Sequence, residues 1–156
     1  MEGRASRPSR PSEARQSLFA TITLMKLRFQ RLPGSFAICR LPANAPAPHL
    51  TASTPFASIT RTTDELSIVC PAEHAPGSAI CEAPWTCFKL QGPFPFSQTG
   101  VLASFLDPLA KGGVPIFAVA TFDTDYVLVK EELAAKALDL LRDAGHQLIA
   151  EPGQEL

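Results

Sequence analysis

Residues 100–129, GVLASFLDPLAKGGVPIFAVATFDTDYVLV, constrain the fold more than any other stretch of this chain. Val101, Leu102, Phe105, Leu106 and Leu109 recur at spacings that line one face of a helix with apolar side chains. Ser97 or Thr99 is expected to cap its first turn with a side-chain oxygen. Pro108 removes a backbone donor, so the last turns should bend or tighten, and Gly112 with Gly113 supplies a left-handed stop. Residues 116–120 are apolar and β-branched, with the length of a central strand. Asp123, Thr124 and Asp125 break that run, and residues 126–129 are apolar again, which predicts a hairpin with two carboxylates at its turn.

Residues 131–144 predict a second amphipathic helix. Leu133, Ala137, Leu138 and Leu141 form its buried face, acids lie at its start, Arg142 lies near its end and Gly145 stops it. Residues 146–150 predict a last strand. With residues 85–91 as a first strand, the order is strand, helix, strand, strand, helix, strand. That is the ferredoxin-like split βαβ arrangement, an α+β fold whose antiparallel sheet carries both helices on one face.

The rest of the chain is mostly β. Arg4, Arg7, Arg10 and Arg15 mix with Ser, Pro and Ala in residues 1–24, which predicts a disordered extension. A targeting peptide and an upstream extension of the gene both fit its composition. Residues 26–31 and 36–41 read as two strands of a hairpin turned at 32–35. Residues 42–48 form a proline-rich loop, 56–60 and 66–70 are strands, and Asp64 with Glu65 belongs to the turn between them. These strands make a reduced module over 25–71. A proline-rich linker over 72–84 joins it to the complete module over 85–150, and 151–156 is a tail.

The 156 residues suffice for one compact domain or two small modules, and 46% apolar with 19% charged residues fits a globular core. A net charge of -1 argues against a nucleic-acid partner, and no apolar run reaches the ~20 residues that span a bilayer. Cys39, Cys70, Cys81 and Cys87 show no paired CxxC spacing and read as small core residues of a reducing, cytoplasmic compartment. His49, His74 and His146 are scattered and suggest no metal set, and no cofactor is expected.

Three segments carry a family resemblance: TGVLAS followed by IFAVATFDTDYVLV, the preceding LQGPFPFSQTG, and the earlier TDELSIVCP. Over roughly residues 25–149 the chain resembles the ACT-domain family. It is most similar to the ACT-like branch related to the cytosolic arginine sensors of animals, which has small bacterial members. The resemblance implies a pair of ACT-like modules that bind a small ligand, usually an amino acid, without chemistry. It further implies association as a homodimer or with a regulated protein partner.

Two segments are candidates for the ligand. Residues 92–99 lead into a helix start, where unpaired N–H groups and the helix dipole favour a carboxylate. There Ser97 and Thr99 add hydroxyls, and Gly100 and Val101 bring backbone close. The second segment is Thr121, Phe122, Asp123 and Asp125, whose carboxylates suit an ammonium or guanidinium group. Cap and turn chemistry alone also explains both. DTDYV matches the DxDx(T/V) pattern of haloacid-dehalogenase-type phosphatases, but only 31 residues follow Asp125, too few for that fold's further motifs. An interaction module without a ligand is the alternative, with Trp85, Phe94 and Phe96 as its partner-facing aromatics.

Overall fold

A computed structural model describes residues 25–149, so the expectations for 1–24, for residue 150 and for the tail lie outside it. The chain runs through β1 (Arg28–Arg31), β2 (Phe36–Leu41), β3 (Ser58–Arg61) and β4 (Leu66–Pro71). A 3-10 turn at Ala72–His74 and the long β5 (Ile80–Leu90) follow. Then come α1 (Val101–Lys111), β6 (Ile116–Ala120), β7 (Asp125–Lys130), a 3-10 turn at Glu131–Leu133, α2 (Ala134–Asp143) and a short β8 (Gln147–Leu148). The eight strands form one sheet with β5 as its spine. One edge of β5 takes β1 and then β2; the other takes β7, which carries β6. Beyond β2 lie β4 and β3, and beyond β1 lies β8. No helix among the described residues is long and apolar enough to cross a membrane.

The fold class is the predicted one: α+β, ferredoxin-like, with two helices on the sheet. The strand partners in the first half are not. The hairpin predicted for 26–31 and 36–41 does not form. Both strands run the same way along β5, with Phe29 opposite Leu90, Arg31 opposite Phe88 and Phe36 opposite Trp85. Residues 32–35 interrupt the ladder without reversing it, because the Leu32 N–H donates to the Cys87 carbonyl at 2.9 Å and keeps the chain on course. Residues 80–82, predicted to lie in the linker, are strand and face β2. The last strand is shorter than predicted and pairs in parallel with β1, which lies between it and β5. Phe56, predicted to start a strand, precedes β3 and stacks on the Tyr126 ring at 4.2 Å.

Period-two alternation divides the strand side chains between two cores. Phe29, Phe88, Leu90, Val127 and Val129 point at the helices and meet Phe105, Leu109, Ala137 and Leu141. Phe36, Cys87 and Leu128 lie on the opposite face, where they cluster with Phe56 and with Val69 of β4. A third cluster, including Ala37, Leu41, Leu66 and Ile68, ties β2 to β4.

The cysteines correct the reading of four free thiols. Cys39 and Cys81 stand directly opposite across β2 and β5 and form a disulfide. Sequence spacing could not indicate this, since a cross-strand pair depends on register. Cys70 and Cys87 are free and buried, and burial pushes the Cys87 thiol up to about 12.

Candidate functional site

The loop after β5 and the β6–β7 turn are held together by backbone chemistry. The Thr124 hydroxyl donates to the Leu90 carbonyl at 2.8 Å, and the Phe94 N–H donates to the Asp123 carbonyl at 2.8 Å. The turn closes on itself through the Thr121 N–H and hydroxyl, which both donate to the Thr124 carbonyl at 2.9 and 2.8 Å. Gly92 permits this approach: a Cβ there would lie 2.7 Å from the Asp123 carbonyl oxygen.

A cleft of about 210 Å³ opens between loop and turn. Of the residues predicted for the site, Val101, Thr121, Phe122, Asp123 and Asp125 line it together. Ser97, Thr99 and Gly100 are not among its lining residues. The predicted hydroxyl cap is corrected as well. Gly100 is the N-cap of α1, left-handed at φ +81°, and no side chain caps the helix. With Gly100 making the turn, the exposed Ser97 and Thr99 lie too early in the chain to serve the first amides. The first intrahelical bond runs from the Ser104 N–H to the Gly100 carbonyl, so helix geometry leaves the N–H groups of residues 101–103 without intrahelical partners, at the cleft's Val101 side.

The two carboxylates differ. Asp123 sits in the turn and is exposed, whereas Asp125 is the first residue of β7, paired with Ala120 and half-buried. Burial holds the Asp125 carboxyl above the usual carboxylate range, so its charge lacks full hydration. Phe94 and Phe96, which the sequence offers either as partner-facing aromatics or as cover for a core edge, line the cleft. The alternation of Phe with Pro in GPFPFS was the signal. Phe96 meets Phe122 edge to face, ring centroids 5.0 Å apart, although the two residues are 79% and 78% exposed. Gln98 also lines the cleft, and its backbone N–H donates to the Pro95 carbonyl at 2.9 Å.

This arrangement suits binding: acids on one wall, amides of a helix start on another, aromatic edges at the mouth. The phosphatase-like DTDYV lies on an antiparallel hairpin, not on the parallel sheet that such chemistry uses. Among the described residues no group of three or more His, Cys, Asp or Glu is arranged to hold a metal ion.

The ACT domain family model matches residues 80–143, and a model of an N-terminal domain matches residues 34–78. No curated protein matches the chain. A crystal structure of a protein from Agobacterium tumefaciens is similar at 42% identity and a TM-score of 0.76, covering 85% of this chain and 98% of that one. A Vibrio cholerae protein of unknown function, titled a possible transport protein, aligns at 21% identity and a TM-score of 0.63, covering 83% of this chain and 97% of that one. The regulatory subunit of aspartate kinase from Thermus flavus shares the fold at 13% identity and a TM-score of 0.52, covering 77% and 97%. ACT domains generally bind small-molecule ligands for regulation. The family match over residues 80–143, together with the β5–α1–β6–β7–α2–β8 order there, identifies that segment as an ACT domain.

Proposed function

We propose that the protein is a non-catalytic regulatory receptor for a small amino acid. The observation that carries this reading is the cleft in which Asp123 and Asp125 face the start of α1. The ligand carboxylate meets the amides at Val101, and its cationic group meets one of the two aspartates. Ser97, Thr99 and Gly100 shape the approach to that helix start. The reading assigns the chain to the branch related to the arginine sensors and to the cytoplasm, the latter without the free-thiol argument, which the Cys39–Cys81 bridge removes. It keeps the two-module division, with residues 25–71 as the reduced module and 85–150 as the ligand-bearing module, but shortens the linker of 72–84 to 72–79 because β5 begins at Ile80. Occupancy acts by shifting the population of a homodimer or of a complex with a regulated partner.

Thermal denaturation in the presence of each amino acid tests this. A ligand at 100 times its Kd adds about 2.7 kcal/mol of stability. Asp123→Ala or Asp125→Ala should abolish the shift with the fold intact. Absence of a shift with every amino acid overturns the reading. The exposed Phe96–Phe122 pair favours a second one, a protein-interaction module without a ligand. In that case Phe122→Ser weakens partner capture while amino acids have no effect.

A further inference from the structure

On the sheet face turned away from the helices, register sets three polar side chains in a row. Gln30 pairs with Lys89 across β1 and β5, and Lys89 pairs with Tyr126 across β5 and β7. Nearer the middle of the sheet the same face is apolar, with Phe36, Cys87 and Leu128 buried. The polar row bounds a second cavity, of about 300 Å³, whose wall also includes Gln91, Thr121 and Asp123. That volume lies at the lower end of the range for small-molecule sites.

Lys89 is half-buried in the centre strand, its ammonium 5.9 Å from the Tyr126 ring. The ion pairs among the described residues join Arg40 to Glu65, Lys111 to Asp107, Lys130 to Glu82 and Arg142 to Asp139, and none involves Lys89. An ammonium at the edge of a cavity, outside every one of those ion pairs, is available to an anionic ligand. The neighbouring amides and phenol offer both donors and acceptors. Asp123 in the same wall offsets the Lys89 charge, so the cavity holds no surplus positive charge for a dianion.

We propose that this cavity binds a small hydroxy monocarboxylate. Its carboxylate lies against the Lys89 ammonium, and its hydroxyl bonds to the Gln30, Gln91 and Tyr126 side chains. The cavity adjoins the amino-acid cleft and shares Thr121, Asp123 and Thr124 with it, whereas Lys89 lines only the cavity and Asp125 only the cleft. Lys89 and Asp125 variants therefore test the two readings apart.

The test is an NMR titration of the full chain with L-lactate, and with inorganic phosphate at matched ionic strength. Lactate should shift the Gln30, Lys89 and Tyr126 resonances saturably. Lys89→Met should weaken binding on the order of tenfold or more, and Lys89→Arg should largely retain it. Asp125→Asn should leave lactate binding unchanged. If Lys89→Met fails to fold, Gln30→Leu carries the same test with a smaller loss. Unmoved resonances, equal affinity in a folded Lys89→Met, loss of binding in Asp125→Asn, or phosphate binding as tightly as lactate each overturns the proposal.

Discussion

His146 serves two backbone groups that the regular elements leave over. Pro108 has no N–H to give the Ser104 carbonyl one turn earlier, and His146 Nε2 lies 3.1 Å from that oxygen. His146 Nδ1 accepts the Leu27 N–H at 3.1 Å, so the buried ring is neutral with its proton on Nε2. A second proton would set N–H against N–H. Burial lowers the pKa below the ordinary histidine value, and the bond to Ser104 opposes that only in part. The unfolded chain thus takes up a proton before the folded one does. The stability from His146 is complete above about pH 6.5 and is lost as pH falls towards the lowered folded value. Urea midpoints should drop between pH 7.5 and 5.5 in the wild type, and His146→Gln should flatten that dependence. Asp125 has the opposite sign. Burial raises its folded pKa, so its favourable share is present at low pH and is lost as pH rises through that value. Asp125→Asn should therefore leave ligand-free stability at pH 7 unchanged or higher, checked by the same urea midpoints, a pattern that fits a residue kept for binding.

Among the elements, β1 matters out of proportion to its length. It lies between β5 and β8 and supplies Phe29, which is 1% exposed and meets Phe88 and Phe105 with ring centroids 5.5 and 5.1 Å apart. Phe29→Ala should cost about 3–5 kcal/mol in urea denaturation, the range for a buried aromatic. A loss below about 1 kcal/mol would contradict a β1 inserted at that place. The alternation of Leu27 and Phe29 made β1 recognisable as a strand, but the partner was misread. Leu32-Pro33-Gly34-Ser35 has the composition of a reversal, and Gly34 does take a positive φ of 75°. A bulge uses the same residues as a turn, and only the resumption of pairing with β5 in the same direction distinguishes them. Likewise Gly100 with its left-handed φ, rather than a hydroxyl, starts α1.

For the molecule as a whole, β5 is shared: its first residues pair with β2 and its last with β1 and β7. Neither half keeps its sheet without it, so denaturation should follow a single transition by fluorescence and circular dichroism alike. The Cys39–Cys81 bridge spans 42 residues, and loop-closure entropy for that separation corresponds to about 4 kcal/mol. Adding a dithiol should lower the urea midpoint accordingly, and Cys81→Ser should behave like the reduced wild type. Alkylation without reductant should label only Cys70 and Cys87, and only after unfolding. Local periodicity was enough to determine α1, α2, the β6–β7 hairpin and the α+β class, because each of these follows from contacts within a few residues of chain. Helix-start and turn chemistry, taken with the family resemblance, put forward Ser97, Thr99, Gly100, Val101, Thr121, Phe122, Asp123 and Asp125, of which the cleft gathers the last five. The position of β1, the partner of Cys39, the alignment of Gln30 with Lys89 and Tyr126, and the neutral state of His146 were decided by tertiary structure alone. Each joins residues far apart in sequence, where loop-closure cost and whole-sheet register, rather than any local preference, select the partner.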